Sequence, residues 1–370
     1  MQINPFQAVY PNLDFITSAD SFFGTVKEDY NDFKKSGFFH KSAEDAIYIY
    51  RIKVRKKSYT GIIGCATVED YLNGKIKKHE NTLAAKEQQQ LNLMIKRGAA
   101  VKPILLAYPN TASIDELIQQ QLKKNDPFIE IAFEDAKEVH TLWKLEEGLV
   151  IQQIQQAFQK HVPHAYIADG HHRSSTSSIM AERMKRKKKS GQYNQILAAF
   201  FPITDLTIYD YNRVVDGIDD RTMATFMAKI SQVFEIDILK KAGKPKKKFE
   251  LTMAVGEEWF KLKWKKKILE KYKKKEKVLL DANLLDYEVM RNIMEIEDTR
   301  TDERITYVEG PKGYNFITKK TRKNENKVAF CLYPVAIKDL FAIADANLIM
   351  PPKSTWFEPR VKNGLLVLEF

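Results

Sequence analysis

Residues 166–178 read "YIADGHHRSSTSS", and their types could do chemistry together. Asp169 and Gly170 precede two adjacent histidines, His171 and His172. Arg173, Ser174, Ser175 and Thr176 follow. The apolar run "HAYIAD" reads as a strand ending at Asp169. Gly170 permits a tight turn, and the next residues open a helix. The first amides of a helix have no internal partners, and the helix dipole is positive there. An anion suits such a place, phosphate above all, and Arg173 adds a permanently charged fork. Hydroxyls such as that of Ser174 would add donors. Two other readings stay open. One is an N-cap aspartate with surface histidines. The other is a metal site, although adjacent histidines on a helix diverge by about 100° and seldom share one ion.

A second polar group is "IKKHENT" at 76–82. His79 and Glu80 could supply a general base or a metal ligand. They could equally mark a helix start, with Asn81 as cap and Glu80 complementing the dipole. "EDTRTDER" (297–304) alternates acids and arginines as a salt-bridged loop does. "MPPKSTWFEPR" (350–360) is a proline-stiffened loop that presents Lys353, Ser354 and Thr355, residues able to reach a phosphate.

These groups need elements to position them, and the chain reads as mixed α+β. Strands are expected at 46–54, 60–68, 103–109, 164–169, "ILAAFFPI" and "LTIYDYNRVV", with "KVAFCLYPV" as a late strand. Helices are expected at 82–98, with Gly98 as C-cap, at 113–125 behind a serine cap, at 145–161, and after Gly170. After Asp216 the pattern restarts with a helix at 221–232, a lysine-rich hairpin and a helix near 284–295. Two domains follow, 1–215 and 216–370.

The 370 residues carry a formal charge of +12, much of it in "KKAGKPKKKFELTMAVGEEWFKLKWKKKILEKYKKKEK" (240–277). Clustered lysines suggest nucleic acid. However, "FELTMAV" and "WFKLKWK" alternate with period two around Gly256, so the favoured reading is the solvent face of a hairpin, with Lys261, Lys263 and Lys265 outward. Cys65 and Cys331 sit in apolar runs and read as buried thiols. No signal peptide and no membrane span is expected, since the longest apolar run falls well short of the about twenty residues a span needs. These features fit a cytoplasmic protein. The oligomeric state is left open.

"YIADGHHR", with "GIIGCATVEDYLNGKIKKHENT", "YDYNRVV", "RTDERITYVEG" and "MPPKSTWFEP", resembles a large bacterial and archaeal family catalogued as a domain of unknown function. That family bears an Asp-Gly-His-His-Arg signature. It resembles the free serine kinases and, with them, the ParB and sulfiredoxin superfamily. The resemblance implies a ParB/sulfiredoxin-like nucleotide-binding core followed by a C-terminal α+β domain. Gly170, His171, His172, Arg173 and Ser174 would bind nucleotide phosphates. The implied activity is phosphoryl transfer from ATP or ADP, with Mg²⁺, to a small hydroxyl substrate such as free serine. Such a reaction needs a phosphate cradle, a divalent ion and a residue that orients the attacking hydroxyl. Asp169 is then the expected Mg²⁺ ligand and Glu80 the base, beside His79. The chain departs from the family pattern at Tyr10, where an arginine is expected, and over Leu83 to Gln90, where charged side chains are replaced. The alternative is therefore a catalytically inactive nucleotide-binding regulatory protein, with its lysine tract against an acidic partner or nucleic acid.

Overall fold

The computed structural model describes residues 1–218, 223–322 and 326–370. It is a mixed α+β protein of two compact units. One holds Met1–Thr207 together with Pro359–Phe370, and the other holds Ile208–Glu358. The boundary expected after 215 thus lies at 207/208. The C-terminal stretch returns to the first unit because Val367–Glu369 pairs with Ala8–Pro11 and Ala99–Ala100. Period-two runs of three residues are too short to announce such pairing.

The first unit is built on an eight-stranded mixed sheet. Its order is Ile76–Lys77, Ala165–Asp169, Ile104–Tyr108, Gln195–Pro202, Lys57–Thr67, Ile47–Val54, Glu138–Leu145 and Ile129–Phe133. Ile47, Ile49, Ile62, Leu106, Ile167 and Phe200 share one core. The helices Ala112–Lys124 and Gly148–His161 bury Ile114, Ile118, Ile154 and Phe158 in it. A four-stranded sheet of Phe39–Lys41, Ala8–Pro11, Val367–Glu369 and Ala99–Ala100 completes the unit, covered at Tyr30 by the helix Ala19–Lys35.

Most expected elements appear within a few residues of their predicted bounds. Gly98 caps Ala84–Arg97 with φ of +65°, as its position suggested. Helix starts differ more. The serine expected to cap the 113–125 helix lies inside it, and the cap is Thr111. The helix expected from 145 begins at Gly148, because "EVHTLWKL" is a strand hydrogen-bonded to Ile47–Val54. That ladder satisfies its backbone as well as a helix would.

The second unit carries a six-stranded antiparallel sheet. Its order is Phe234–Leu239, Glu258–Trp264, Glu250–Val255, Lys327–Cys331, Tyr211–Asp216 and Ile305–Glu309. Helix Met223–Val233 packs Phe226 and Ile230 on one face, and Tyr314–Arg322 packs Ile317 on the other. The first positions of the helix expected at 221–232 lie outside the described residues. The lysine hairpin forms around Gly256. Lys261 and Lys263 point outward, each meeting an acid of the neighbouring strand: Asp237 at 2.7 Å and Glu235 at 3.1 Å. Cys65 and Cys331 are both buried free thiols. Among the described residues, no helix is long and apolar enough to cross a membrane.

Candidate functional site

The strand Ala165–Asp169 ends in an irregularity that aims its last side chain. Tyr166 stands opposite Ala107 and Ile167 opposite Leu106, but Asp169 stands opposite Leu105, so Ala168 is skipped. Successive side chains on a strand alternate faces. Skipping one residue turns Asp169 away from the core face that Ile167 occupies, a common use of a bulge beside a site. Gly170 follows with φ of +107°. A Cβ there would stand 2.8 Å from Arg173 Nη2 and 2.9 Å from Ile104 Cγ2. Only glycine accepts both the backbone conformation and the close approach. Helix His171–Arg186 begins at once and has no side-chain cap.

Asp169 is the centre of a cationic group. Arg173 Nη2 donates to its Oδ2 at 2.7 Å, and Lys102 Nζ is 3.9 Å from the same oxygen. Arg360 Nη1 lies 3.1 Å from Oδ1. Burial by itself would raise the Asp169 carboxyl, but Arg173, Arg360 and Lys102 outweigh it and hold it well below the usual carboxylate range. The same crowding acts on Lys102. Burial first, then Arg173 and Arg360 against the pull of Asp169, push its amine down to about 8. Arg173 also reaches the Pro103 carbonyl at 3.4 Å, while its buried Nε has no partner.

This donor set does not fit the Mg²⁺ ligation expected of Asp169. Both of its oxygens face cations, and among the described residues no group of three or more histidines, cysteines or acids is placed to hold a metal. A divalent ion needs several oxygen ligands and an excess of negative charge. Here the excess is positive.

The second polar motif meets the first. His79 and His171 are both buried, their rings edge to face with centroids 4.4 Å apart. The His79 amide is 3.5 Å from His171 Nε2, and His171 Nδ1 is 3.7 Å from Glu80 Oε2. Nε2 is thus the acceptor, which leaves the ring proton on Nδ1, facing Glu80. Burial lowers His79 to about 4. Burial, reinforced by His79, takes His171 well below its ordinary value. Both rings are neutral at pH 7. The Glu80 side chain keeps 34% of its surface exposed.

Helix Ala84–Arg97 starts at Leu83 without a side-chain cap, so Asn81 is not the cap the spacing suggested. Its Glu87 accepts from Thr82 Oγ1 at 2.5 Å and from the Ser175 hydroxyl. Those two bonds hold the Glu87 carboxyl below its usual range. Ser174, expected as a phosphate donor, has no exposed surface, and its hydroxyl bonds the Gly170 carbonyl at 3.1 Å. A serine in the first helical turn closes back on its own backbone when no ligand competes. His172 is half-buried on the same turn.

The motif 297–304 and residues 350–358 of the other lie in the second unit, while Arg360 belongs to the first. Arg300 pairs with Asp298, and Arg304 with Asp302, each at 2.8 Å, a salt-bridged loop as expected. The Ser354 hydroxyl is closed on the Pro351 carbonyl at 2.7 Å, and Lys353 lies over the Tyr211 ring.

Sequence reading missed Lys102 and Glu87 as members of the site, and it quoted Arg360 within its motif without giving it a role. A cation just before the buried strand Ile104–Tyr108 was the one usable signal, for Lys102. Nothing local marks Arg360, which reaches Asp169 only through the return of the chain.

Fold and site together define a mixed α+β protein with a cationic, glycine-hinged strand-to-helix turn. The chain belongs to the family described as "Protein of unknown function (DUF1015)", whose match covers residues 9–292. No curated protein matches it. Among solved structures it is similar to a free serine kinase in complex with AMP (13% identity, 83% of this chain and 90% of that one, TM-score 0.41). It is also similar to SbnI with a C-terminal truncation from Staphylococcus aureus (11%, 83% and 87%, 0.41). A third is a conserved hypothetical protein from Pyrococcus furiosus (14%, 85% and 98%, 0.40). At these values the likeness is distant.

Proposed function

We propose that the protein is a nucleotide-dependent phosphotransferase acting on a small hydroxyl compound, with a nucleotide-binding core of the ParB/sulfiredoxin type. The observation that carries this reading is the meeting of two turns: Glu80 lies 3.7 Å from His171, on the same helix turn as Arg173 and next to Asp169. A base and a phosphate-seeking cation are thereby held in one neighbourhood, as phosphoryl transfer requires.

Each residue then has a task. Arg173 and the uncapped amides at the helix start bind phosphate oxygens and stabilise charge on the transferred group. Glu80 accepts the proton of the attacking hydroxyl. His171 holds Glu80 through Nδ1, and the His79 backbone amide sets the His171 tautomer from behind. Gly170 lets the phosphate approach the backbone, and half-buried His172 borders the same turn. No step is assigned to a metal on Asp169.

ATP or ADP is the donor, and free serine, the substrate that the motif resemblance implies, is the first acceptor to try. Product formation from ATP or ADP with free serine and other amino acids is the test. Glu80→Gln should cut turnover by roughly two to four orders of magnitude and spare nucleotide affinity. Turnover unchanged in that variant would remove Glu80 from the mechanism. Nucleotide binding without turnover on any hydroxyl acceptor would favour the regulatory reading instead. The ion pairs of Lys261 and Lys263 with Asp237 and Glu235 argue against a nucleic-acid face on that hairpin.

A further inference from the structure

We propose that Lys102 and Arg360 join Arg173 in a three-cation clamp for the phosphate chain of a nucleoside di- or triphosphate, with Asp169 as the internal counter-ion that holds the three in place. This inference rests on the nucleotide reading of the same site and specifies which part of the nucleotide is recognised.

Three segments supply the cations. Lys102 stands two residues before the strand Ile104–Tyr108, which pairs with Ala165–Asp169. Arg173 stands one helical turn after Asp169. Arg360 comes from the segment that returns to the first unit. They approach the carboxylate from two sides, Arg173 and Lys102 at Oδ2 and Arg360 at Oδ1.

One carboxylate cannot neutralise three cations, so the cluster keeps a net positive charge. It does so where water is scarce: the side chains of Lys102, Arg173 and Arg360 are 20%, 26% and 34% exposed. Cations held together at such exposure repel one another, and after burial this repulsion by Arg173 and Arg360 further lowers the Lys102 amine. An arriving polyanion relieves that repulsion. A di- or triphosphate chain offers the three cations more successive oxyanions, and more negative charge, than a monophosphate does. The guanidinium forks are suited to such oxygens, and the buried Nε of Arg173 is a donor still to be satisfied. The positive excess supplies the charge neutralisation that a metal on Asp169 would otherwise have provided.

The test uses the full chain and calorimetric titration with inorganic pyrophosphate, ADP and AMP, in chelator. Lys102→Met and Arg360→Gln should each weaken pyrophosphate and ADP by roughly 10- to 100-fold, the scale of one charge-assisted hydrogen bond, and weaken AMP less. Arg173→Gln should do the same. If Arg173→Gln loses ADP while the other two bind as wild type, the clamp is overturned and the nucleotide reading stands. If the wild type binds neither ADP nor pyrophosphate, both fall. A second measurement needs no variant. Acetylation of Lys102 by a water-soluble acyl ester, followed by mass spectrometry, should slow several-fold with saturating pyrophosphate, while that of exposed Lys266 is unchanged. Equal slowing at both lysines, or none at Lys102, would also overturn the clamp.

Discussion

The imidazole of His79 stands edge-on to that of His171, with ring centroids 4.4 Å apart and planes at 76°. Two turns distant in sequence are joined by this contact, and it carries no charge at neutral pH. Burial sets His79 at about 4 against an ordinary 6.5. Between those values the unfolded chain binds a proton that the folded chain refuses. Stability should therefore be full above pH 6.5 and fall as pH drops towards 4, by roughly 3 kcal/mol from His79 alone. Urea unfolding at pH 7.5, 6 and 5 measures this, and His79→Gln should flatten the curve. A wild-type curve without slope in that window would contradict the buried neutral pair.

Asp169 behaves in the opposite sense. Its carboxyl is depressed, so its contribution is present above the ordinary carboxylate value and is lost only as pH falls well below it. At pH 7 it is fully engaged. Asp169→Asn keeps the shape and leaves Arg173, Arg360 and Lys102 facing one another uncompensated. The expected loss is about 2–4 kcal/mol. Chemical unfolding at pH 7 reads it, and a loss below about 0.5 kcal/mol would mean that solvent already screens the cluster.

Gly170→Ala tests the turn itself. The φ of +107° costs a side-chain-bearing residue about 1–2 kcal/mol. The new methyl would also press on Arg173 Nη2 and Ile104 Cγ2. Since Arg173 must move, pyrophosphate affinity should fall at least tenfold even under conditions where the variant is fully folded. Native affinity in a folded variant would show that the guanidinium is not needed where the structure puts it.

The lysine tract should prove quiet. Lys266 is 89% exposed and pairs with Glu270 of its own helix at 3.6 Å. Replacing Lys266 and Lys267 with glutamate should change stability by no more than about 0.5 kcal/mol. Tight DNA binding by the wild type, weakening steeply with salt, would reverse this expectation.

The strand–turn–helix around Gly170 was legible because its signals are local: an apolar run, a glycine, then polar residues at a helix start. The hairpin at Gly256 was legible for the same reason, through its period-two alternation. Ala19–Lys35 was not assigned, although its pattern buries Phe22, Phe23, Val26 and Tyr30. The pairing of "EVHTLWKL" depends on Ile47–Val54, which lies far away in sequence. The polar neighbours of the site divide in the same way. His79, Glu80 and Arg173 sit in motifs that stand out by type. Lys102 and Arg360 acquire meaning only through partners that the fold brings to Asp169. The hydroxyl of Ser174 has the right type in the right place, yet its own backbone claims it. The Mg²⁺ role failed for Asp169 because the charges around a carboxylate cannot be read from the residues next to it.

Arg360 also fixes an order of events. The segment that carries it joins the first unit only after Ile208–Glu358 has been made. On the ribosome the second unit is therefore complete before the first can close its small sheet at Val367–Glu369. Domains fold as their residues emerge. Until that segment is delivered, the nascent chain presents Asp169 with two cations in place of three. The protein acquires its full site only after its second unit has been made.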